Sequence, residues 1–229
     1  MNVNSATGAL LQRYLRQCYA WACEQLYDDF AWSYDWVSWS VSLGAWSAWR
    51  QLALDELRTG ATTTGPTLEI GFGSGSLLAA IERASPPVIG LELSAQMQAI
   101  TAAKLAKQQL TPPRVQATAL SMPFEDESFA AVVSTFPAPY ILQEATLHEC
   151  SRVLQAAGRL IVVGLWVTPR VAGHRMRLPL LYGGPASAQI LAIQTRIEAA
   201  GFTGTLSLRA AAGAEIAVLV GEKTAAIPA

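Results

Sequence analysis

The chain has 229 residues, enough for one α/β domain with an extension and for burying about two-thirds or more of the surface exposed on unfolding. Its 16 Lys+Arg against 17 Asp+Glu leave a net charge of −1, which argues against a nucleic-acid binder needing a basic face. Cys18, Cys23 and Cys150 stand in no CxxC or Cys/His arrangement, so neither a disulfide framework nor a structural metal site is expected. Charged residues make up only 14%, where about 25% is usual. Such a chain either keeps a large core or meets an apolar partner.

The first sixty residues read as helical. Leu11, Tyr14, Leu15, Cys18, Ala22 and Leu26 share one helical face, and Trp32, Trp36, Trp39, Leu43 and Trp46 form a second stripe ending in Trp49-Arg50-Gln51-Leu52. Aromatic stripes at helical spacing usually mean core; the alternatives are a lid over an apolar substrate or a helix on a membrane surface. Phe30 to Trp49 holds one charge, Asp35, but also five serines and five tryptophans. That mixture suits an interface or a lid better than a transmembrane span. The N-terminus shows no basic segment followed by an apolar one, so the expected location is the cytoplasm, with contact at the membrane surface left open. Residues 1–60 are accordingly expected as a Trp-rich helical lid or extension, and residues 61–229 as the main domain.

After the turn-rich Gly60 to Pro66, strands alternate with helices. Strands are expected at Thr67–Ile70, Pro87–Glu92, Val115–Ala117, Ala130–Thr135 and Arg159–Val167. The intervening helices are expected at Ser76–Ala84, Ser94–Gln109 with Ser94 as N-cap, and Gln143–Leu154. A last helix, Ala188–Ala200, precedes two alternating segments, Thr203–Arg209 and Glu215–Val220, which read as a hairpin on the sheet edge. Near-continuous apolar strands separated by helices predict an α/β fold with a buried, mostly parallel sheet.

The stretch Leu68-Glu69-Ile70-Gly71-Phe72-Gly73-Ser74-Gly75-Ser76 runs a strand into a turn with glycine at every second position, then opens a helix. Glycines there permit positive φ and let a ligand lie on the backbone, while the new helix points unpaired N–H groups at it. A dinucleotide fold of the G-x-G-x-x-G type would want its third glycine at position 76; here residue 76 is serine and the third glycine is Gly75. Glu69, two residues before the first glycine, is poorly placed for a pyrophosphate and well placed for the ammonium of S-adenosyl-L-methionine. Glu92, ending the second strand, can accept hydrogen bonds from both ribose hydroxyls, although nicotinamide enzymes use an acid there too.

With these residues the chain resembles the class I S-adenosylmethionine-dependent methyltransferases, and within them the branch holding the ubiquinone/menaquinone C-methyltransferases (methyltransferase type 11). The matching segments are LEIGFGSG (68–75), GLELSAQM (90–97), ATALSMPFEDESF (117–129) and HECSRVLQAAGRLIVV (148–163), with YDDFAWSYD (27–35) and SLGAWSAWR (42–50) upstream. The resemblance implies a Rossmann-like fold with a seven-stranded, mostly parallel sheet, an antiparallel C-terminal hairpin strand and an N-terminal helical lid. It implies S-adenosyl-L-methionine as cofactor and S-adenosyl-L-homocysteine as product. Glu69, Gly71, Phe72, Gly73, Ser74 and Gly75 would hold the methionine portion, Glu92 and Leu93 the ribose side, and Thr118 and Ala119 the adenine. Thr135 would border cofactor and acceptor. The sequence departs from the family where Thr118 lacks a carboxylate for the adenine amino group, where Ala130 replaces an aspartate, and where Gln155-Ala-Ala replaces Lys-Pro-Gly.

A sulfonium is already a good methyl donor, so catalysis needs in-line alignment in a dry pocket more than side-chain chemistry. No catalytic side chain is assigned, and His148 and His174 are expected in structural or solvated roles. Tyr27, Trp32, Tyr34, Phe136 and Tyr140 are the candidate contacts to a small, hydrophobic acceptor. The competing classes are a nicotinamide-dependent oxidoreductase, disfavoured by Ser76 and by the lack of a Tyr-x-x-x-Lys pair, and a non-catalytic adenosyl-binding or membrane-adaptor protein.

Overall fold

The computed structural model describes residues 45–59, 64–84, 87–171, 174–175 and 187–224. Helix α1 (Trp46–Arg58) leads into β1 (Thr67–Ile70), α2 (Ser76–Ala84), β2 (Val88–Glu92), α3 (Ala95–Ala106), β3 (Arg114–Gln116) and β4 (Phe129–Thr135). A 3₁₀ turn (Pro139–Leu142) and α4 (Glu144–Val153) precede β5 (Leu154–Val171), the two-residue β6 (His174–Arg175), α5 (Ser187–Ala199), β7 (Phe202–Ala211) and β8 (Ala214–Lys223). The sheet runs β3-β2-β1-β4-β5-β8-β7, with β6 paired to β5 off that path. Pairings from β3 through β5 are parallel, and β8 pairs antiparallel with both β5 and β7.

The central strands are buried on both faces because consecutive apolar side chains alternate between two cores. Val132, Leu160 and Val162 join one core with Leu68, Leu91, Phe129 and Leu147. Val133, Ile161 and Val163 join the other with Phe72, Leu77, Val218 and, from α1, Trp49 and Ala53. The path reverses at β1, whose neighbours are β2 on one side and β4 on the other. Ligands of open α/β sheets bind outside the C-terminal ends of the strands at such a reversal. Gly71 follows β1 there, and Thr135 ends β4.

Ser94 caps α3 as expected, its hydroxyl accepting from Met97 N at 3.3 Å. The helix ends sooner than its composition predicts: Gln109 takes φ 57° and Leu110 N turns back to Leu105 O, just before Pro112-Pro113. Strand β5 is longer than expected. Leu154 pairs with Phe129 while Arg159 pairs with Ala131, so the intervening residues loop out of register, with Ala157 at φ 59°. The hairpin between β7 and β8 turns on Ala212 and Gly213, both with positive φ (44° and 77°), the demand of a type I′ turn.

Helix α1 lies in the stretch expected as an extension, and it docks directly on the sheet. Trp49 is 6% exposed, and its indole N–H donates to Ala211 O at 3.1 Å. Glu56 accepts from Arg209 at 3.0 Å and lies 3.4 Å from Arg159, whose guanidinium also donates to Glu56 O at 2.7 Å. Tyr27, Trp32, Tyr34, Trp36 and Trp39 lie outside the described residues.

Candidate active site

All three loop glycines use the conformation that motivated their choice: Gly71, Gly73 and Gly75 have φ 66°, 51° and 70°. The loop is fixed by its neighbours. Gly71 N donates to Leu91 O at 2.7 Å, Gly75 N to Phe72 O at 2.8 Å, and the Thr101 hydroxyl of α3 to Gly73 O at 2.7 Å. A Cβ at Gly75 would lie 2.4 Å from Thr101 Cγ2, and one at Gly71 would meet the Tyr140 hydroxyl at 2.4 Å. Phe72 lines the site while its buried ring anchors the loop from below, where a Cβ at Gly90 of β2 would lie 2.6 Å from it.

Glu92 is drawn into the same loop. Its two oxygens accept from Gly73 N and Ser94 N, each at 3.0 Å. Each oxygen keeps a further lone pair for a hydroxyl donor. Beside it Leu93 is 64% exposed, an apolar side chain at a sheet edge otherwise lined by polar groups. The Thr118 hydroxyl accepts from Leu120 N at 3.2 Å, and Ala119 is buried next to it. The loop that carries both is clamped by Arg152, which forks onto Glu149 at 2.7 and 2.8 Å and donates to Phe124 O, Met122 O and Asp126. The Arg152 hydrogen bonds hold the Glu149 carboxyl below the ordinary carboxylate value.

Glu69 is 1% exposed, and its Oε2 has no hydrogen-bond partner. Burial holds its carboxyl well above the usual range, opposed by Arg50 and reinforced by the charge of Glu92. Arg50, Glu69, Gly71, Gly73, Ser74 and Thr135 line a cavity of about 20 Å³, room for one small polar group. Lys104 of α3 donates to Ser76 Oγ at 2.8 Å and Ser74 Oγ at 3.3 Å at its rim.

Beyond Thr135, Phe136 adopts φ 51°, a strained backbone for an aromatic residue. Three contacts hold it. Its N–H donates to Val163 O at 2.7 Å, its ring lies 5.7 Å from that of Trp49, and it fills the space over Gly164, where a Cβ would come within 2.3 Å of it. His148 lies elsewhere, on α4 beside Glu144 at 3.6 Å, in a groove shared with Leu142 and Arg196. Cys150 is buried, and burial pushes its thiol up to about 12, so it is no nucleophile near neutrality.

Of the sequence-chosen residues that are described, Glu69, Gly71, Phe72, Gly73, Ser74 and Thr135 line the cavity. Glu92 bonds to the glycine loop and Tyr140 abuts Gly71. Leu93 follows β2, Phe136 follows β4, and Thr118 and Ala119 lie on the clamped loop after β3; Tyr27, Trp32 and Tyr34 lie outside the described residues. Sequence reasoning missed Arg50, Thr101 and Gly164 as parts of the site. Arg50 had a signal, since it directly follows the last tryptophan of the stripe, where a charge interrupts an apolar face. Thr101 and Gly164 had none, because each is required by a partner far away in sequence.

A doubly wound sheet with a glycine cradle at its reversal and an acid at the C-terminal end of each of the first two strands defines a Rossmann-like methyltransferase fold. The Methyltransferase domain family matches residues 68–162. The ubiquinone/menaquinone biosynthesis C-methyltransferase of Syntrophotalea carbinolica is 32% identical over 60% of this chain and 59% of its own length. The demethylmenaquinone methyltransferase of Thermus thermophilus is 30% identical over 64% of this chain and 67% of its own. Geranyl diphosphate C-methyltransferase from Streptomyces coelicolor shares the fold, with a TM-score of 0.55 at 14% identity over 76% of this chain and 77% of that one. The chain belongs to the S-adenosylmethionine-dependent methyltransferase family and spans three-fifths to two-thirds of the length of these two curated relatives.

Proposed function

We propose that this chain moves a methyl group from S-adenosyl-L-methionine to a small apolar acceptor by in-line displacement. One observation carries the reading: Glu69, buried and with one carboxylate oxygen lacking a partner, lines a cavity walled by left-handed glycines. An ammonium fits there and a phosphate does not, which favours an amino-acid-bearing nucleoside over a dinucleotide. Glu92, preset by two backbone N–H groups, is suited to the ribose hydroxyls, and Leu93, Thr118 and Ala119 to the adenine. The bound cofactor would supply the activated methyl.

The protein's part is then to bind, orient and keep water out. Thr135 lines the cavity, Tyr140 abuts Gly71, and Phe136 follows Thr135 with Trp49 against its ring. This aromatic wall suits a ring-bearing or acyl-bearing acceptor, in keeping with relatives named for quinone methylation. No general base is assigned, and none is needed where the nucleophile carries no proton to lose. In this reading residues 1–60 close over residues 61–229 as a lid. No described helix is long and apolar enough to cross a membrane; in this reading the chain works in the cytoplasm and meets a membrane-borne acceptor at the membrane surface.

Calorimetry with S-adenosyl-L-homocysteine and transfer of labelled methyl into a quinone extract test this together. Wild type should bind and transfer; Glu92→Ala, which loses about 1.5–3 kcal/mol per hydroxyl bond, should do neither. Binding of NADH in place of the homocysteine would refute the cofactor assignment, and binding without transfer into any extract would leave the chain a non-catalytic adenosyl binder.

A further inference from the structure

We propose that docking of the cofactor's amino-acid end is coupled to the loss of one proton from Glu69, so that the empty site holds a carboxylic acid and the filled site a carboxylate facing an ammonium. This rests on the cofactor reading above and adds what that site does with its charge.

The starting point is the lone oxygen. Glu69 is 1% exposed on the central strand, and Oε2 has no hydrogen-bond donor. A bare carboxylate oxygen in that position forfeits its hydration with nothing in return, whereas a carboxylic acid forfeits far less. The charged groups acting on it, among the described residues, are Arg50 from α1 and Glu92 from β2, which oppose each other; Lys104 from α3 sits at the rim, bonded to Ser74 and Ser76, and the Tyr140 hydroxyl lies against Gly71. The remaining polar lining from the loop, α2 and β4 is uncharged: Ser74, Ser76 and Thr135. Burial outweighs Arg50 and holds the group protonated well above the ordinary value of 4.5.

An amino-acid zwitterion changes that balance. Its ammonium supplies the missing donor and an opposite charge to Glu69, and its carboxylate gives Arg50 a new anion. The Glu69 O–H bond then breaks, its electron pair stays on the oxygen, and the proton goes to bulk buffer; nothing is oxidised or reduced. Below the free-site pKa each unit fall in pH should therefore weaken binding tenfold, since the site must first give up its proton. The ligand's α-ammonium, with a pKa near ~7.7–8.0, stays charged below neutrality and does not blur the effect.

The test is calorimetry at a series of pH values descending from 7, in two buffers of different ionisation enthalpy, with S-adenosyl-L-homocysteine and with 5′-methylthioadenosine, which carries the same nucleoside without the amino-acid end. Proton release per homocysteine bound to wild type should rise toward one as the pH falls below the free-site value. Close to none should be released with methylthioadenosine, or with homocysteine bound to Glu69→Gln, and affinity in that variant should be flat between pH 5.5 and 7. The wild-type comparison of the two ligands stands without the variant, so misfolding of Glu69→Gln would not shield the proposal. Binding of both ligands with equal proton release, or with none, would overturn the coupling and leave the cofactor reading intact. Failure of both nucleosides to bind would overturn the cofactor reading and the coupling with it.

Discussion

Replacing Gly75 by alanine probes whether the loop is as closely packed as its geometry states. Two costs add. An L-residue at φ 70° pays about 1–2 kcal/mol for the left-handed backbone. The new Cβ would also lie 2.4 Å from Thr101 Cγ2 and 3.0 Å from its Oγ1, an overpacking that costs about 1–3 kcal/mol. Thr101 cannot retreat freely, because it is fully buried and its hydroxyl holds Gly73 O at 2.7 Å. The expected destabilisation is roughly 2–5 kcal/mol, a large share of the ~5–15 kcal/mol of an ordinary domain. Thr101→Ser removes the nearer contact and keeps the hydroxyl. Alone it should cost about 1 kcal/mol for the lost methyl; in the Gly75→Ala background it should recover stability. Urea unfolding of wild type, both single variants and the double variant gives the coupling directly, expected at about 1–3 kcal/mol in favour of the double variant. Additive effects within about 0.5 kcal/mol would show that Thr101 does not abut Gly75, and the account of the cradle would fail.

Ala212→Asn should stabilise the protein by about 0.5–1 kcal/mol, since asparagine tolerates φ 44° in a type I′ turn far better than alanine; thermal unfolding should show a rise of a few degrees, and a fall would refute the turn assignment. Two carboxyls should drive opposite pH dependences. Glu69, raised in the fold, keeps its proton when the unfolded chain has lost it, so stability of the ligand-free protein should fall as pH rises from 4.5 toward its folded value, by up to about 1.4 kcal/mol per pH unit, and Glu69→Gln should remove that slope. Glu149, lowered by Arg152, contributes stability above 4.5 that is lost on acidification through its folded value; denaturant titrations of Arg152→Gln should show a weaker acid slope, and an unchanged one would refute the clamp.

What could be read from the sequence was local. The apolar run of β1, the alternating glycines and the serine cap of α3 each announce themselves within a few residues, because a strand period, a positive φ and a capping hydroxyl are local demands. The end of α3 was misjudged because Gln109 turns left-handed without a glycine to signal it. Ala157 does the same, so the loop inside β5 was hidden by the residue that strains it. Gly164 combines a left-handed φ of 86° with a Phe136 ring that occupies its Cβ position, the second a reason placed 28 residues upstream that no spacing rule can reach.

The tryptophan-rich stretch predicts core, lid or membrane-surface helix; of it only α1 lies among the described residues, and there one helix serves both the core and the candidate site. Successive residues on a helix point about 100° apart, so Trp49 and Arg50 cannot face the same neighbour. Trp49 enters the core and packs on Phe136, while Arg50 lines the same cavity as Glu69. The helix is held against the sheet by the indole bond to Ala211 and by Glu56 with Arg159 and Arg209, all remote from the cavity. Packing on one face therefore sets the distance of a charge on the other. Loosening that dock would withdraw the guanidinium opposing the burial of Glu69, so the charge state of the buried acid depends on an aromatic contact that touches no ligand. Core packing and site electrostatics are, in this helix, one structural decision.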